Sequence, residues 1–282
     1  MAKVLKGKEV ADKIKAGMKL SIEELKKEGR TPLLTIVRLG NNAGDVSYEK
    51  SIVKACEAAG IKSRVIERET TMTTEKLEGL MQELNADSEV SGILLFRPLP
   101  KHIDEERIRT SVSPDKDVDC MHPLNLERIF EGRMDGFSPC TPKAAVEILV
   151  HNQVPLEGRN VVVVNRSMVV GKPLVMMLLE KNATVTICHS RTKNLKELCS
   201  KADVVVTALG KAKFFTEDFF NDDSIVIDVG VSMSEDGKLS GDVDYDSVAE
   251  KVSMITPVPG GVGSVTTTIL LNQVVLAELK KK

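Results

Sequence analysis

Apolar residues recur at positions 10, 14, 18, 22 and 25, the spacing of one helix face, so residues 8 to 28 read as an amphipathic helix closed by Gly29. The run "LLTIVRLG" that follows predicts a strand. A second helix is predicted from Tyr48 to Ala59, stopping at Gly60, and then a strand in "KSRVIERE". Residues 74 to 85 read as a helix with Thr73 or Thr74 as N-cap, and "VSGILLFRPLP" as a short buried strand ended by prolines. Strand and helix alternate, which implies a parallel sheet.

The stretch "SPDKDVDCMHPLN" holds too many turn residues and acids for a regular element. It reads as a loop at the carboxyl end of a strand, the edge at which open α/β sheets bind ligands. From Thr141, "PKAAVEILVHN" predicts a helix, and "GRNVVVVNRSMVVGKPLVMMLLEKNATVTICHS" a strand, tight loop, helix and strand, which is a βαβ unit. Two more strands, "ADVVVTALG" and "SIVIDVG", each end in glycine as though something must approach the backbone. Between them "KFFTEDFF" is helix or turn, and "VSMSEDGKLSGDV", with Asp236 and Gly237 at its centre, reads as a hairpin. The chain closes with a glycine-rich loop in "ITPVPGGVG" and a helix with lysines in its last turn.

Composition narrows the function classes. At 282 residues and 42% hydrophobic, the chain is long and apolar enough for two domains. A net charge of −2, with acids and bases interleaved, offers no field for nucleic acid. No apolar run approaches the roughly 20 residues of a membrane span, and "MAKVLKGKEV" lacks the apolar core of a signal peptide. A cytoplasmic protein without a membrane partner is therefore expected. The cysteines Cys56, Cys120, Cys140, Cys188 and Cys199 form no C-x-x-C pair and read as reduced, mostly buried thiols.

Three constellations carry candidate chemistry. The loop "NRSMVVGKP" offers only Gly171 and Pro173, so the G-x-G-x-x-G fingerprint is absent and a plain βαβ crossover competes with dinucleotide binding. Arg166, Ser190 and Arg191 at successive strand ends suit a 2′-phosphate, and no acid ends the second strand, which favours NADP over NAD. In "PDKDVD", Asp115, Asp117 and Asp119 alternate but lack the glycine and terminal glutamate of a calcium loop. No metal is expected there. The stretch is either a solvated acidic turn or holds one buried carboxylate for a ligand's amino and ring N–H groups. The third, Thr256 to Thr266, is a rigid glycine-proline loop, suited either to cofactor or substrate contact or to a hinge.

The motifs "SYEKSIVK", "PLPKHI", "PDKDVD", "CTPKAAVEIL", "NRSMVVGKP", "CHSRT", "ADVVVTALG", "IVIDVG" and "TPVPGGVG" run collinearly along the chain. Their order and spacing resemble the bifunctional methylenetetrahydrofolate dehydrogenase/methenyltetrahydrofolate cyclohydrolase family. The resemblance implies an α/β fold of two domains flanking a cleft. Residues 1–139 plus 265–282 would form a folate-binding catalytic domain, and residues 140–264 an NAD(P)-binding Rossmann-like domain. It further implies a homodimer, with a contact near "VSMSEDGKLSGDV". Tyr48 would stack on the folate and Asp119 hold the pterin, with Pro257, Gly260 and Gly261 also at the substrate. Cofactor contacts would fall on Asn165, Arg166, Ser167, Gly171, Pro173, Ser190, Arg191, Thr192, Gly210, Gly230, Gly263 and Thr266.

The same alignment puts Ile52 where the family has its catalytic lysine and Phe96 where it has the supporting glutamine. Asp45 stands for a serine, Arg97 for a leucine, Cys120 and Asn165 for glycines and Ser264 for a proline. Lys50 and Lys54 lie about 200° around a helix from Ile52 and do not face the Tyr48 side without backbone rearrangement, and Arg97, next to Phe96 on a strand, is expected to point to the opposite face. His122 reads as a loop histidine and His189 as one that positions backbone near the cofactor. The expectation is a dehydrogenase with severely reduced cyclohydrolase activity. The alternatives are the fully bifunctional enzyme and a folate- and NADP-binding homologue without turnover.

Overall fold

The computed structural model describes residues 1–133, 135–234 and 237–281. In chain order the elements are β1 (Lys3–Val4), α1 (Gly7–Lys27), β2 (Leu33–Leu39), α2 (Ala43–Ala59), β3 (Lys62–Arg68), α3 (Thr74–Ala86), β4 (Gly92–Leu95), α4 (Glu105–Ser111), α5 (Pro123–Phe130) and α6 (Cys140–His151). They continue with β5 (Asn160–Val164), α7 (Gly171–Leu179), β6 (Thr184–Cys188), α8 (Leu195–Ser200), β7 (Val204–Thr207), β8 (Ile225–Asp228), β9 (Ser232–Met233), β10 (Leu239–Ser240), α9 (Tyr245–Lys251), β11 (Met254–Ile255) and α10 (Val262–Lys280).

The chain divides into two compact units. One comprises Lys13–Arg128, Arg133–Ser138 and Thr267–Lys282. Its parallel sheet has the order β3-β2-β4. The central strand β2 is buried along nearly its whole length, Thr35 and Arg38 included, while β3 at the edge is largely open. Leu77, Leu80, Met81 and Leu84 of α3 pack with Leu33, Val37, Ile93 and Leu95 of the sheet and Ile108 of α4.

The other unit comprises Met1–Asp12, Ile129–Gly132 and Pro139–Thr266. Its six-stranded sheet has the order β1-β11-β8-β7-β5-β6, with every neighbouring pair parallel. The chain leaves β5 for β6 on one side, then returns to place β7 on the other. This makes the β5/β7 boundary a topological switch point. Val162, Val164, Val205 and Val226 pack with Phe215 and Phe220, which flank the short 3₁₀ turn Glu217–Phe219. The antiparallel β9–β10 pair forms the predicted hairpin, although Asp236 lies outside the described residues.

Several boundaries differ from the sequence pattern. The second helix starts at Ala43, not Tyr48, because Asn42 caps it: its Oδ1 accepts the Gly44 amide at 2.9 Å and the Asp45 amide at 3.4 Å. The acidic loop ends earlier than its composition suggests, since α5 begins at Pro123, where a missing N–H costs a helix nothing. The closing helix begins at Val262 and takes in Gly263, Ser264 and Thr266. That helix also overturns the expectation on apolar runs: Val262–Lys280 is 19 residues with a mean hydropathy of 1.4, long and apolar enough to cross a membrane. Because 61% of its apolar window is buried inside the fold, it serves here as a core helix. All five cysteines are free and buried.

Candidate active site

In the first unit the site is built on α2. Tyr48 sits in its second turn and is 43% exposed, whereas Ile52, one turn further on, has no exposed surface. Phe96 follows β4, and its amide reaches Val37 O at 2.9 Å, prolonging the β2–β4 pairing by one residue. The ring of Phe96, itself buried, lies 5.6 Å from that of Tyr48 at 32°. Tyr48 and Phe96 are thus brought together, and the helix face that carries Tyr48 continues through the buried Ile52 and Cys56. Lys50 and Lys54 are exposed, as the helical angle requires.

Arg97 lies just past β4 and takes partners other than those of Phe96. Its guanidinium lies 3.5 Å from Asp119 and 3.7 Å from Glu105. Asp119 is half-buried. The carboxylate that goes fully inside is its neighbour Asp117, whose Oδ1 accepts the Met121 amide and whose Oδ2 accepts the His122 amide and Asn125 Nδ2, each at 2.9 Å. Burial pushes the Asp117 carboxyl up to about 6 against the opposing effect of these donors. Asp117 is therefore a staple of the loop and not a free ligand group. Gln273 of α10 adds a second staple, donating to Val118 O at 2.6 Å. His122 is buried rather than loose, with Nδ1 accepting the Leu124 amide at 3.1 Å and desolvation lowering its pKa. Cys120 holds a left-handed φ of +56°, and burial raises its thiol pKa.

In the second unit the predicted residues gather at the carboxyl ends of β5 to β8. Asn165 follows β5, with Nδ2 donating to Ala208 O at 2.6 Å and Oδ1 accepting the Ser167 amide at 2.7 Å and the Gly171 amide at 3.1 Å. Arg166 and Ser167 are exposed, while Gly171 and Pro173 are buried at the start of α7. After β6, Ser190 and Arg191 are exposed, and Thr192 Oγ1 accepts the His189 amide at 2.8 Å. His189 Nδ1 in turn accepts the Arg191 amide at 3.1 Å, so the ring is committed to the turn.

The glycines divide. Gly210 has φ +67° and open space where a Cβ would stand, on a turn held by Asp242, which accepts the Leu209 and Lys211 amides. Gly230 is buried, and what approaches it is the Asp242 carboxylate, not open space. Both lie beyond their strands, which end at Thr207 and Asp228. Gly260 and Gly261 face Gly7, whose amide donates to Gly260 O at 2.9 Å. Pro257 is half-buried in the same loop, Gly263 is exposed on α10, and Thr266 Oγ1 bonds back to Val262 O at 3.2 Å.

Sequence reasoning missed Gly7, Gln273, Asn125 and the Asp228–Asp242 pair. Asp228 accepts the amides of Gly230 at 3.0 Å and Val243 at 2.9 Å, and its carboxyl is pushed up to about 6 by burial. No local pattern marks these residues, since each acts on chain remote in sequence or on a turn. Among the described residues no cluster of His, Cys, Asp and Glu could hold a metal ion. The strand ends do fit an anionic dinucleotide: Arg166, Ser190 and Arg191 are exposed there, and among the described residues the amides of Arg166, Met168 and Val169 have no acceptor.

Comparison with known proteins fits this geometry. Residues 5–119 match the tetrahydrofolate dehydrogenase/cyclohydrolase catalytic domain, and residues 139–282 match the NAD(P)-binding domain of the same family. The bifunctional protein FolD of Clostridium botulinum strain Hall is 56% identical over 275 residues, covering 98% of both chains. The crystal structure of the bifunctional FolD of Campylobacter jejuni superposes with a TM-score of 0.96 at 39% identity, covering 99% of both chains. The Trypanosoma brucei methylenetetrahydrofolate dehydrogenase-cyclohydrolase, solved with NADP and an inhibitor, gives 0.92 at 31% identity over 99% of this chain and 97% of that one. Full-length similarity of this order makes the chain a member of the tetrahydrofolate dehydrogenase/cyclohydrolase family, with NAD(P)-dependent methylenetetrahydrofolate dehydrogenase activity.

Proposed function

We propose that this enzyme oxidises 5,10-methylenetetrahydrofolate to the 5,10-methenyl form with NADP, and that its cyclohydrolase step is strongly slowed. The observation that carries the second part is Ile52, fully buried one turn from Tyr48, with the Phe96 ring against Tyr48. The resemblance aligns these two positions with a lysine and a glutamine. Hydration of the methenyl carbon and ring opening need proton transfers, which a positioned group typically speeds by about 10² to 10⁴. An isoleucine and a phenylalanine hold no exchangeable proton. Hydride loss is less demanding, because the lone pair of the substrate nitrogen expels it once donor and acceptor are held in line.

In this reading Tyr48 stacks on the folate, Asp119 holds the pterin with Arg97 beside it, and Pro257, Gly260 and Gly261 line the substrate. Bound NADP supplies the hydride acceptor. Its phosphates fall to Arg166, Ser167, Ser190, Arg191 and Thr192, with Asn165 a cofactor-site residue in the same loop. The exposed Arg166 and Arg191, with no acid at the end of β6, support NADP over NAD. Cytoplasmic location and a homodimer are part of the same reading, and sedimentation as a monomer would overturn the dimer.

A second reading is the fully bifunctional enzyme. The relative at 56% identity carries a bifunctional name, and a match over 98% of both chains favours two activities over the loss of one. The non-catalytic reading has no comparable support. A paired assay separates the two enzymes: NADP reduction with methylenetetrahydrofolate, and decay of methenyltetrahydrofolate above the buffer rate. The first without the second supports the restricted enzyme, and comparable turnover in both overturns it.

A further inference from the structure

Asn165 stands at the switch point of the six-stranded sheet, between the carboxyl ends of β5 and β7, where ligands of open α/β folds bind. Its carboxamide spans that point. Nδ2 reaches Ala208 O just past β7, while Oδ1 takes the amides of Ser167 and Gly171 on the loop that enters α7. The glycine with which the resemblance aligns this position could make none of the three bonds. Ser167 extends the same order, its Oγ accepting the Val170 amide at 3.1 Å and its carbonyl the Lys172 amide at 3.0 Å. The loop is thus shaped by its own groups, and among the described residues the amides of Arg166, Met168 and Val169 are left to donate outward.

We propose that Asn165 is a positioning residue for the dinucleotide, presetting the β5–α7 loop so that a nucleotide phosphate meets free amides without first ordering the chain. This rests on the NADP reading above. Ordering a loop on binding subtracts from affinity, so a loop held in advance binds more tightly through the same contacts. The effect belongs to cofactor affinity and not to the chemical step.

The test uses Asn165→Ala and Asn165→Gly in the full chain, with NADP titrated by calorimetry and both substrates varied in steady state. The dissociation constant and KM for NADP are expected to rise about tenfold, the loss of roughly one hydrogen-bonded staple, with the folate KM moving less than about twofold. Amide hydrogen exchange at Ser167 and Gly171 is expected to be slow in the unmodified, NADP-free protein and fast in both variants. Asn165→Asp, which keeps the acceptor for the Ser167 and Gly171 amides but loses the donor to Ala208 O and adds a negative charge, should retain slow exchange at those two amides while binding NADP weakly. Variants that bind NADP like the unmodified protein, or exchange rates unchanged by Asn165→Ala, would overturn the proposal. Failure of the unmodified protein to bind NADP would instead overturn the cofactor reading, and calorimetry on that protein alone reports it.

Discussion

Two positions that the resemblance aligns with other residue types are accommodated in opposite ways. At Ile52 the side chain is wholly buried one helical turn from Tyr48, and the Phe96 ring packs against that of Tyr48. At Asn165 a carboxamide stands in a half-open loop and satisfies one carbonyl and two amides. A buried amine would need a polar partner to stay charged, and Ile52 with Phe96 presents neither an amine nor a group that needs one. The Asn165 carboxamide closes two amide donors and one carbonyl of the loop's surroundings with its own groups. In the reading proposed above, the first position lacks a means of moving protons, and the second carries a scaffold for the cofactor loop.

The largest effect should come from changing the first position. Ile52→Lys with Phe96→Gln is expected to raise methenyltetrahydrofolate hydrolysis above background by about 10² to 10⁴. Dehydrogenase turnover should change far less. Ile52→Lys alone should gain less and unfold earlier, because an amine in a fully buried site has no partner. Stopped-flow decay of the methenyl absorbance measures the gain. A double variant that folds, binds folate and still shows only the buffer rate would mean that proton transfer is not what the site lacks.

The two units also share a feature, a buried aspartate with its pKa pushed up to about 6: Asp117 in one and Asp228 in the other. An unfolded aspartate titrates near 4, so each fold binds the proton more tightly than the open chain does. The stability gained from protonation is fully present below about pH 4 and is lost as the pH rises through about 6. Between pH 7 and 5 these groups therefore favour the fold as acid is added. Asp117→Asn should flatten that rise, because an amide does not titrate, and should lower stability at pH 7, where an amide N–H replaces an oxygen that accepts a donor. Denaturant midpoints at pH 5 and 7 measure it, and an unchanged slope would mean Asp117 stays ionised throughout.

Which of these residues the sequence reveals depends on how far their partners lie. The valine runs of β5 and β7, the βαβ unit and the Gly60 stop after α2 are set by neighbours a few residues away, and they were legible. Tyr48 and Ile52 were legible as one helix face for the same reason. The choice of Asp117 over Asp119 as the buried acid was not, because it depends on the isolated bridge to Ile93 and on Asn125 eight residues on. Gly7 reads as an ordinary helix start until Gly260 and Gly261 arrive against it from the far end of the chain. The two-residue strands β1 and β11 are too short to show any period, yet they extend the larger sheet.

Asn42 provides the smallest effect and the sharpest control for Asn165. Both asparagines accept two amides on one Oδ1 ahead of a helix: Asn42 those of Gly44 and Asp45 in the first turn of α2, Asn165 those of Ser167 and of Gly171, the first residue of α7. Asn42, however, bonds only within its own turn, whereas Asn165 also reaches across to Ala208. Asn42→Ala should therefore cost about 1 kcal/mol of stability, the usual value of an N-cap, and leave NADP affinity alone. Asn42→Asp should recover that loss, since it keeps the acceptor and places a negative charge at the positive end of the helix. Thermal midpoints and NADP calorimetry on Asn42→Ala and Asn165→Ala, taken side by side, measure the contrast. If removing the cap weakened NADP as much as removing the staple, the loss at Asn165 would reflect helix stability in general, and the distinction between a cap and a preset binding loop would fail.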